Sequence, residues 1–198
     1  MKSSFLNVFN LAAGIGIFAV ITGCSGTAGK NKNQMNKSEL KGSFGYDVDF
    51  FAGHNIKTIV LKDKNSGASL LLVPAYQGRV MTSSVAGNEG TSFGWINYKF
   101  IEAGQPSTQF NPYGGEERLW LGPEGGPFSI YFSPGTEQEF VNWVVPREID
   151  TEPFEVVEQT ADMASFRKNF SLTNATGTKL EIGIERTVRL LEIGRAHV

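Results

Sequence analysis

Hydrophobic and polar residues alternate with a period of two along much of this chain, which is the pattern of β-strands with one buried face. Turn residues separate the alternating segments, as in DKNSG at 63–67. The segments predicted to be strands are 58–61, 68–73, 79–85, 128–132, 154–159, 164–172 and 179–191. Short strands at this spacing, with few helical stripes, predict an all-β domain built as an antiparallel sandwich.

The last predicted strand has the cleanest alternation, interrupted by one charged residue. Its apolar face consists of Leu180, Ile182, Ile184, Val188 and Leu190. Arg186 falls on this face, and a buried guanidinium needs a partner. A bulge, a paired structural arginine or a ligand contact would each account for it. A sheet that stopped at residue 191 would keep an open edge and uncovered apolar side chains, so we expect poor stability for the chain as it stands.

A glycine-rich run at 111–126, NPYGGEERLWLGPEGG, carries the densest candidate chemistry. If 116–121 is extended, Glu116, Arg118 and Trp120 share one face, while Leu119 and Leu121 face the core. An indole beside a charged pair is suited to gripping a sugar, because the ring is a flat apolar platform and the charges form directional hydrogen bonds. The alternative is a solvated ion pair and a core tryptophan.

The first 24 residues are typical of a processing signal. Lys2 supplies positive charge, 11–21 is apolar, and the tetrapeptide ITGC ends at Cys24, the single cysteine of the chain. The apolar stretch is too short to span a bilayer. The tetrapeptide resembles the lipobox of bacterial lipoproteins, which implies a signal peptide at 1–23 and a lipid attached to Cys24. Ser25 follows, rather than the Asp that retains such lipoproteins at the inner membrane. We therefore expect an outer-membrane lipoprotein of a Gram-negative cell.

Residues 24–43 are polar and rich in Gly, Ser, Asn and Lys, which predicts a flexible tether. The following body, 44–191, is about the size of one domain.

The tail at 192–198, EIGRAHV, breaks a strongly patterned strand without turn residues. It back-translates to GAG ATC GGA AGA GCA CAC GTC, which resembles a sequencing adapter in which a stop codon follows. Our hypothesis is that these residues are not biological and that the protein continues beyond Leu191; the alternative is a genuine short tail. His197 then takes no part in catalysis, and His54 is interpreted as a surface histidine.

Composition narrows the function. The formal net charge is −2, and the sequence contains no basic stripe, no Cys/His metal spacing and no phosphate-binding Gly-rich run. We therefore expect no nucleic-acid partner, no metal and no cofactor.

Four segments carry a resemblance to known proteins. LVPAYQGRVMTSS at 72–84, SFGWIN at 92–97, the run at 111–126 and DTEPFEV at 150–156 are similar to a domain-of-unknown-function family of secreted bacterial lipoproteins. More distantly, the strand, Gly-Arg turn and strand resemble the start of galactose mutarotase-like domains, which are antiparallel super-sandwiches that bind sugars. This resemblance implies that 44–191 is the N-terminal part of such a fold.

In mutarotase-like enzymes a carboxylate base and a histidine acid open the sugar ring. Those residues lie further along the chain in that family, so the resemblance assigns no catalytic position here. It implies that Arg79, after the Gly78 turn, points into a sugar cleft. The further binding candidates are Asn97, Tyr113, Glu116, Arg118 and Trp120. Glu116 and Glu124 flank a Gly-Pro turn and are weak candidates for a glycosidase pair, whereas a solvated Glu124 would interact with the amides of the next turn.

The sequence therefore predicts a membrane-anchored carbohydrate-handling lipoprotein, either aldose epimerase-like or an accessory to polysaccharide breakdown. The competing prediction is a non-catalytic carbohydrate-binding or envelope-structural lipoprotein. A third alternative is that the face carrying Trp120 packs against another sheet.

Overall fold

A computed structural model describes residues 41–191, which form two three-stranded antiparallel sheets and two helices. The elements are α1 (Phe44–Gly53), β1 (Ile59–Lys62), β2 (Ser69–Val73), β3 (Arg79–Ser84), α2 (Tyr98–Ala103), β4 (Glu155–Gln159), β5 (Met163–Thr173) and β6 (Lys179–Arg189). The mostly β architecture confirms the all-β class. The predictions for Cys24, for the signal at 1–23, and for 192–198 with His197 lie outside the described residues.

The first sheet has the order β1-β2-β3. Successive side chains along its strands point alternately into two apolar clusters, one on each face of the sheet. Leu71 and Val73 of β2 contribute to a cluster shared with α1 and α2, whereas Leu72 contributes to a second cluster on the opposite face. The period of two therefore buries both faces of this sheet.

The second sheet has the order β4-β5-β6, and it shares the second cluster with the first sheet. Ala164 and Phe166 of β5 pack in this cluster with Ile59, Leu61 and Leu72 of the first sheet. The pairing of β5 with β6 runs from Met163↔Arg189 to Thr173↔Lys179. Asn174 closes their turn, since its side-chain oxygen accepts hydrogen bonds from the amides of Thr176 and Thr178.

The helix α1 was not predicted from the sequence. Ser43 caps it by accepting a hydrogen bond from the Tyr46 amide, and Phe44, Phe50 and Phe51 are buried. Ser43 also forms an isolated β-bridge with Thr91.

Two predicted strands are wrong. Residues 128–132 and 116–121 are irregular, and in both segments the side chains depart from a two-faced strand. In the second segment Leu119 packs against the cluster between the sheets, but Leu121 joins Trp120 in a third apolar cluster. Within 41–191 the β-pairing of the run at 111–126 is limited to one isolated bridge, Ile96↔Gly114, so no ladder in this range holds it extended.

Within 41–191, neither helix is long and apolar enough to cross a membrane. In the same range no group of three or more His, Cys, Asp and Glu side chains is placed to hold a metal ion.

Candidate functional site

A concave cavity of about 540 Å³ lies where the C-terminal end of α1 meets α2 and the segment around Tyr113. Its lining is Gly53, His54, Asn55, Ile56, Tyr76, Phe100, Ile101, Glu102, Gly104, Gln105, Pro106 and Tyr113. We call this the candidate cavity. Its size lies within the range of small-molecule sites, and its walls mix aromatic rings with an imidazole, two carboxamides and a carboxylate.

Two stacked tyrosines line the candidate cavity. The rings of Tyr76 and Tyr113 lie 3.8 Å apart at 10°, and the residues are only 7% and 9% exposed. Within 41–191 neither phenol hydroxyl forms a hydrogen bond. Each hydroxyl is therefore able to bond a ligand in the cavity.

Both tyrosine hydroxyls stay protonated around neutral pH. Burial raises the pKa of Tyr76, and the neighbouring Tyr113 adds to the effect because two phenolates would repel. Burial likewise raises the pKa of Tyr113. Each hydroxyl can therefore donate one hydrogen bond and accept another.

His54 lies at the rim of the candidate cavity, as an exposed residue that ends α1. Its Nδ1 is 2.7 Å from the carbonyl oxygen of Phe50. A carbonyl only accepts, so Nδ1 carries the proton, and in the neutral ring Nε2 is a hydrogen-bond acceptor. The interpretation as a surface histidine agrees with this exposure, but no local pattern indicates that His54 lines a cavity with Glu102.

Asp47 connects the two helices that wall the candidate cavity. It is fully buried on α1, and its carboxylate accepts hydrogen bonds from Tyr98, the first residue of α2, and from Ser92. Burial raises the pKa of Asp47 against the opposing effect of these hydrogen bonds. This contact holds α1 and α2 at a fixed separation.

A buried charged network lies behind the tyrosine pair. Arg79 is 2% exposed. Its guanidinium donates to the Gly114 carbonyl at 2.6 Å and to Gln77 Oε1 at 3.1 Å. Gln77 in turn donates to the carbonyls of Leu119 and Ile149. Arg79 therefore organises interior backbone rather than an open surface.

Arg118 belongs to the same interior network. It forms an ion pair with Asp150 at 2.7 Å, and it also donates to the Asn111 carbonyl. Its guanidinium lies over the rings of Phe110 and Trp120, 4.6 and 4.8 Å from their centroids.

Glu117 and Arg186 complete the network. The Arg186 guanidinium forms a two-pronged ion pair with Glu117, with N–O distances of 2.5 and 3.0 Å. Glu117 also accepts the Val80 amide at 2.8 Å. The prediction that Arg186 needs a partner is confirmed, and the partner is structural. Sequence reasoning missed Glu117. In the strand predicted for 116–121, Glu116 lies on the face expected to bind a ligand and Glu117 lies on the opposite face.

The network holds three guanidinium groups against the carboxylates of Glu117 and Asp150, so one positive charge is in excess. Burial lowers the pKa of Arg79 to about 10, and repulsion from Arg118 acts in the same direction, whereas Glu117 opposes it. Arg79 remains a cation at neutral pH. The positive charge of Arg79 also acts on the candidate cavity. It lowers the pKa of Tyr76 and of Tyr113, against the larger effect of burial.

The remaining sequence-predicted residues lie apart from the candidate cavity. Asn97 caps α2 by accepting the Phe100 amide and donates to the Pro112 carbonyl. Glu116 is exposed and accepts from Ser83 Oγ at 2.7 Å, whereas Glu124 accepts from Trp120 Nε1 at 2.8 Å.

Within 41–191 no hydrogen bond or ion pair joins Glu116 to Glu124, and each has a different partner. Of the predicted binding residues, the structure brings Tyr113 to the candidate cavity and places Arg79 behind it.

Trp120 lies in an aromatic cluster rather than on an open platform. The centroid of its ring lies 5.1 Å from that of the Tyr131 ring, with an angle of 20° between the planes. The Tyr131 ring in turn lies 5.7 Å from a ring of Trp143. The predicted face shared by Glu116, Arg118 and Trp120 is therefore wrong. Arg118 and Trp120 pack inward among aromatic rings, and Glu116 points outward.

In the comparison with known protein families, residues 42–197 match the model of a family described as a family of unknown function, DUF6786. No curated protein and no solved structure is significantly similar to the chain.

Proposed function

The chain belongs to the DUF6786 family of unknown function, and we propose that it is a carbohydrate-handling protein of the cell envelope. The observation that carries this proposal is the stacked pair Tyr76 and Tyr113, nearly buried, with both hydroxyls unpaired at a cavity of about 540 Å³. Sugars present hydroxyls that both donate and accept, on a ring with apolar C–H faces. A site that combines phenols, an imidazole and carboxamides with aromatic surface matches both properties.

The wider setting of this proposal is a lipid-anchored sandwich. The ITGC sequence ending at Cys24 supports acylation, and Ser25 supports sorting to the outer membrane. Apolar side chains from both three-stranded sheets meet in one cluster, which supports a sandwich of the galactose mutarotase-like kind. Labelling of cells with a radioactive fatty acid tests the anchor: label on the wild-type chain and none on Cys24→Ser is expected, and equal labelling of both would contradict it.

Binding is tested with variants that remove one hydroxyl and keep the ring. We expect Tyr76→Phe and Tyr113→Phe each to weaken the affinity for a bound mono- or oligosaccharide about three- to ten-fold, the value of one hydrogen bond. A screen of aldoses and a glycan array would first identify a bound sugar. Titration calorimetry would then measure its affinity for the wild type and for each variant. Tyr46→Phe is the matched control, because Tyr46 lies outside the cavity lining and its ring packs on Tyr98.

Two forms of the proposal are separated by turnover. The epimerase-like form gains support from His54 and Glu102, an imidazole and a carboxylate that line the same cavity. NMR exchange between α and β anomers should then be accelerated by the wild type and slowed by Glu102→Gln, with binding retained. Binding without acceleration would favour the non-catalytic form. If no aldose and no glycan binds, both forms fail.

A further inference from the structure

The strand β6 has a free edge along its whole length within the described part of the chain. It is 11 residues long and hydrogen-bonds to β5 on one side. Its other side has no partner within 41–191. Backbone amides and carbonyls along such an edge form a template for another strand.

Two of the usual protections of a free edge, a proline and a β-bulge, are absent from β6. Its sequence, KLEIGIERTVR, contains no proline. Its register with β5 is continuous from Lys179 to Arg189, without the shifts that mark bulges in β2 and β4. The strand is therefore long and regular, and it is able to accept a further strand.

We propose that β6 pairs with β6 of a second copy of this chain, antiparallel and centred on Glu185. The two sheets would then join into one continuous six-stranded sheet with a two-fold axis. In such an isologous contact both copies use the same surface, so every contact between two residues occurs twice.

Charge selects this register. With Glu185 at the centre, Glu181 lies opposite Arg189 of the partner subunit, and the symmetry repeats the pair. Arg189 forms no ion pair within 41–191 and donates only to the sulfur of Met163, at 2.8 Å. Glu181 is 68% exposed, pairs with the equally exposed Lys179 and accepts a hydrogen bond from Ser171 Oγ at 2.5 Å. Both Glu181 and Arg189 lie on the exposed face of β6, where a side chain of the other copy can reach them.

The central pair of Glu185 residues is compensated. Arg167 of the same chain lies 3.1 Å from Glu185, so each carboxylate brings its own guanidinium to the axis. Like charges directly opposite would otherwise disfavour the contact.

Neighbouring registers place like charges opposite each other. A centre at Gly183 sets Glu181 against Glu185, a centre at Ile184 sets Lys179 against Arg189, and a centre at Arg186 sets two guanidinium groups together. These repulsions leave the Glu185 register as the favoured one.

The half-buried face of β6 matches in the same register. Leu180 lies opposite Leu190 of the partner subunit and Ile182 lies opposite its Val188. Leu190 and Val188 already pack against the cluster between the sheets. The pairing would therefore extend an existing apolar layer across the two-fold axis.

A charge-swap cycle on the full chain tests the proposal. We expect a dimer by analytical ultracentrifugation, and Glu181→Arg or Arg189→Glu alone should weaken dimerisation about ten-fold, because two symmetry-related attractions become repulsions. The double variant carrying both changes should restore the wild-type affinity. Lys57→Gln is the control, since it removes an exposed charge outside β6, and it should leave the affinity unchanged.

Three results would overturn the proposal. A monomer at every concentration would do so, as would a dimer that is indifferent to the single charge reversals. Hydrogen exchange that shows protected outer amides of β6 in a monomer would indicate that a strand of the same polypeptide covers the edge. Circular dichroism of each variant separates weakened pairing from misfolding.

Discussion

At the scale of single residues, the burial of Asp47 has the clearest electrostatic consequence. The carboxyl titrates near 3.8 in an exposed setting, and burial raises its pKa in the folded protein. Between these two values the folded state holds a proton that the unfolded state has lost. The free energy of unfolding therefore falls as pH rises through that window, by at most about 1.4 kcal/mol per pH unit.

Asp47→Asn should remove this pH dependence, because a carboxamide does not titrate. The stability of the variant relative to wild type is expected to increase from pH 3.8 upward and to level off above the raised pKa. Urea unfolding at a series of pH values measures it. Asp49→Asn, which removes an exposed charge from the same helix, is the control. A stability difference that is constant with pH would contradict the assignment.

At the scale of elements, the connection from β2 to β3 depends on two successive residues in the left-handed region. Gln77 has a φ of 68° and Gly78 has a φ of 62°. A Cβ on Gly78 would lie 2.7 Å from the ring of Phe166, which is 1% exposed. This glycine is thus required both by the backbone and by the close approach of β5.

Gly78→Ala should destabilise the fold by about 2–4 kcal/mol, the sum of left-handed strain and overpacking. Gly177→Ala provides a matched control, since Gly177 has a φ of 84° with open space around it. The control should cost only about 1 kcal/mol. Chemical denaturation compares the two, and equal losses would show that the Phe166 contact contributes nothing.

At the scale of the whole molecule, the Glu117–Arg186 ion pair connects the segment between the sheets to β6. Glu117 also accepts the amide of Val80 in β3. One carboxylate therefore links a strand of each sheet, and it does so beside a network that already carries excess positive charge.

Glu117→Gln should destabilise the domain by about 2 kcal/mol, below the value for a fully buried pair because Glu117 is 37% exposed. Glu185→Gln breaks the exposed pair with Arg167 and should cost less than about 1 kcal/mol. Urea midpoints of the two variants measure the contrast. Similar losses would mean that burial adds nothing to the Arg186 pair.

The sequence predicted the strands well where one face of a ladder is buried. β6 and β5 were found because their alternation persists over many residues, and the need of Arg186 for a partner followed from its place in that pattern. The identity of the partner did not follow, because Glu117 lies 69 residues away and nothing local distinguishes it from Glu116.

The candidate cavity was predictable only in part. Tyr113 was chosen from its glycine-rich setting, but its stacking on Tyr76 depends on two segments that meet only in the folded chain. The helix α1 was missed because Asp47, a buried acid, interrupts its apolar pattern and because polar residues precede it. Residues 116–121 were predicted as a strand from alternation alone, although a strand also needs a neighbour with which to pair.

The Glu117–Arg186 ion pair also bears on the order of events at the ribosome. Arg186 is synthesised long after Glu117, so a nascent chain that has emerged only as far as β5 holds this carboxylate with the Val80 amide but without its guanidinium. The first sheet and its helices can collapse early, and their docking onto β5 gains this ion pair only once β6 has left the exit tunnel. Folding of this domain is therefore expected to finish after translation of β6 rather than to proceed stepwise with chain growth.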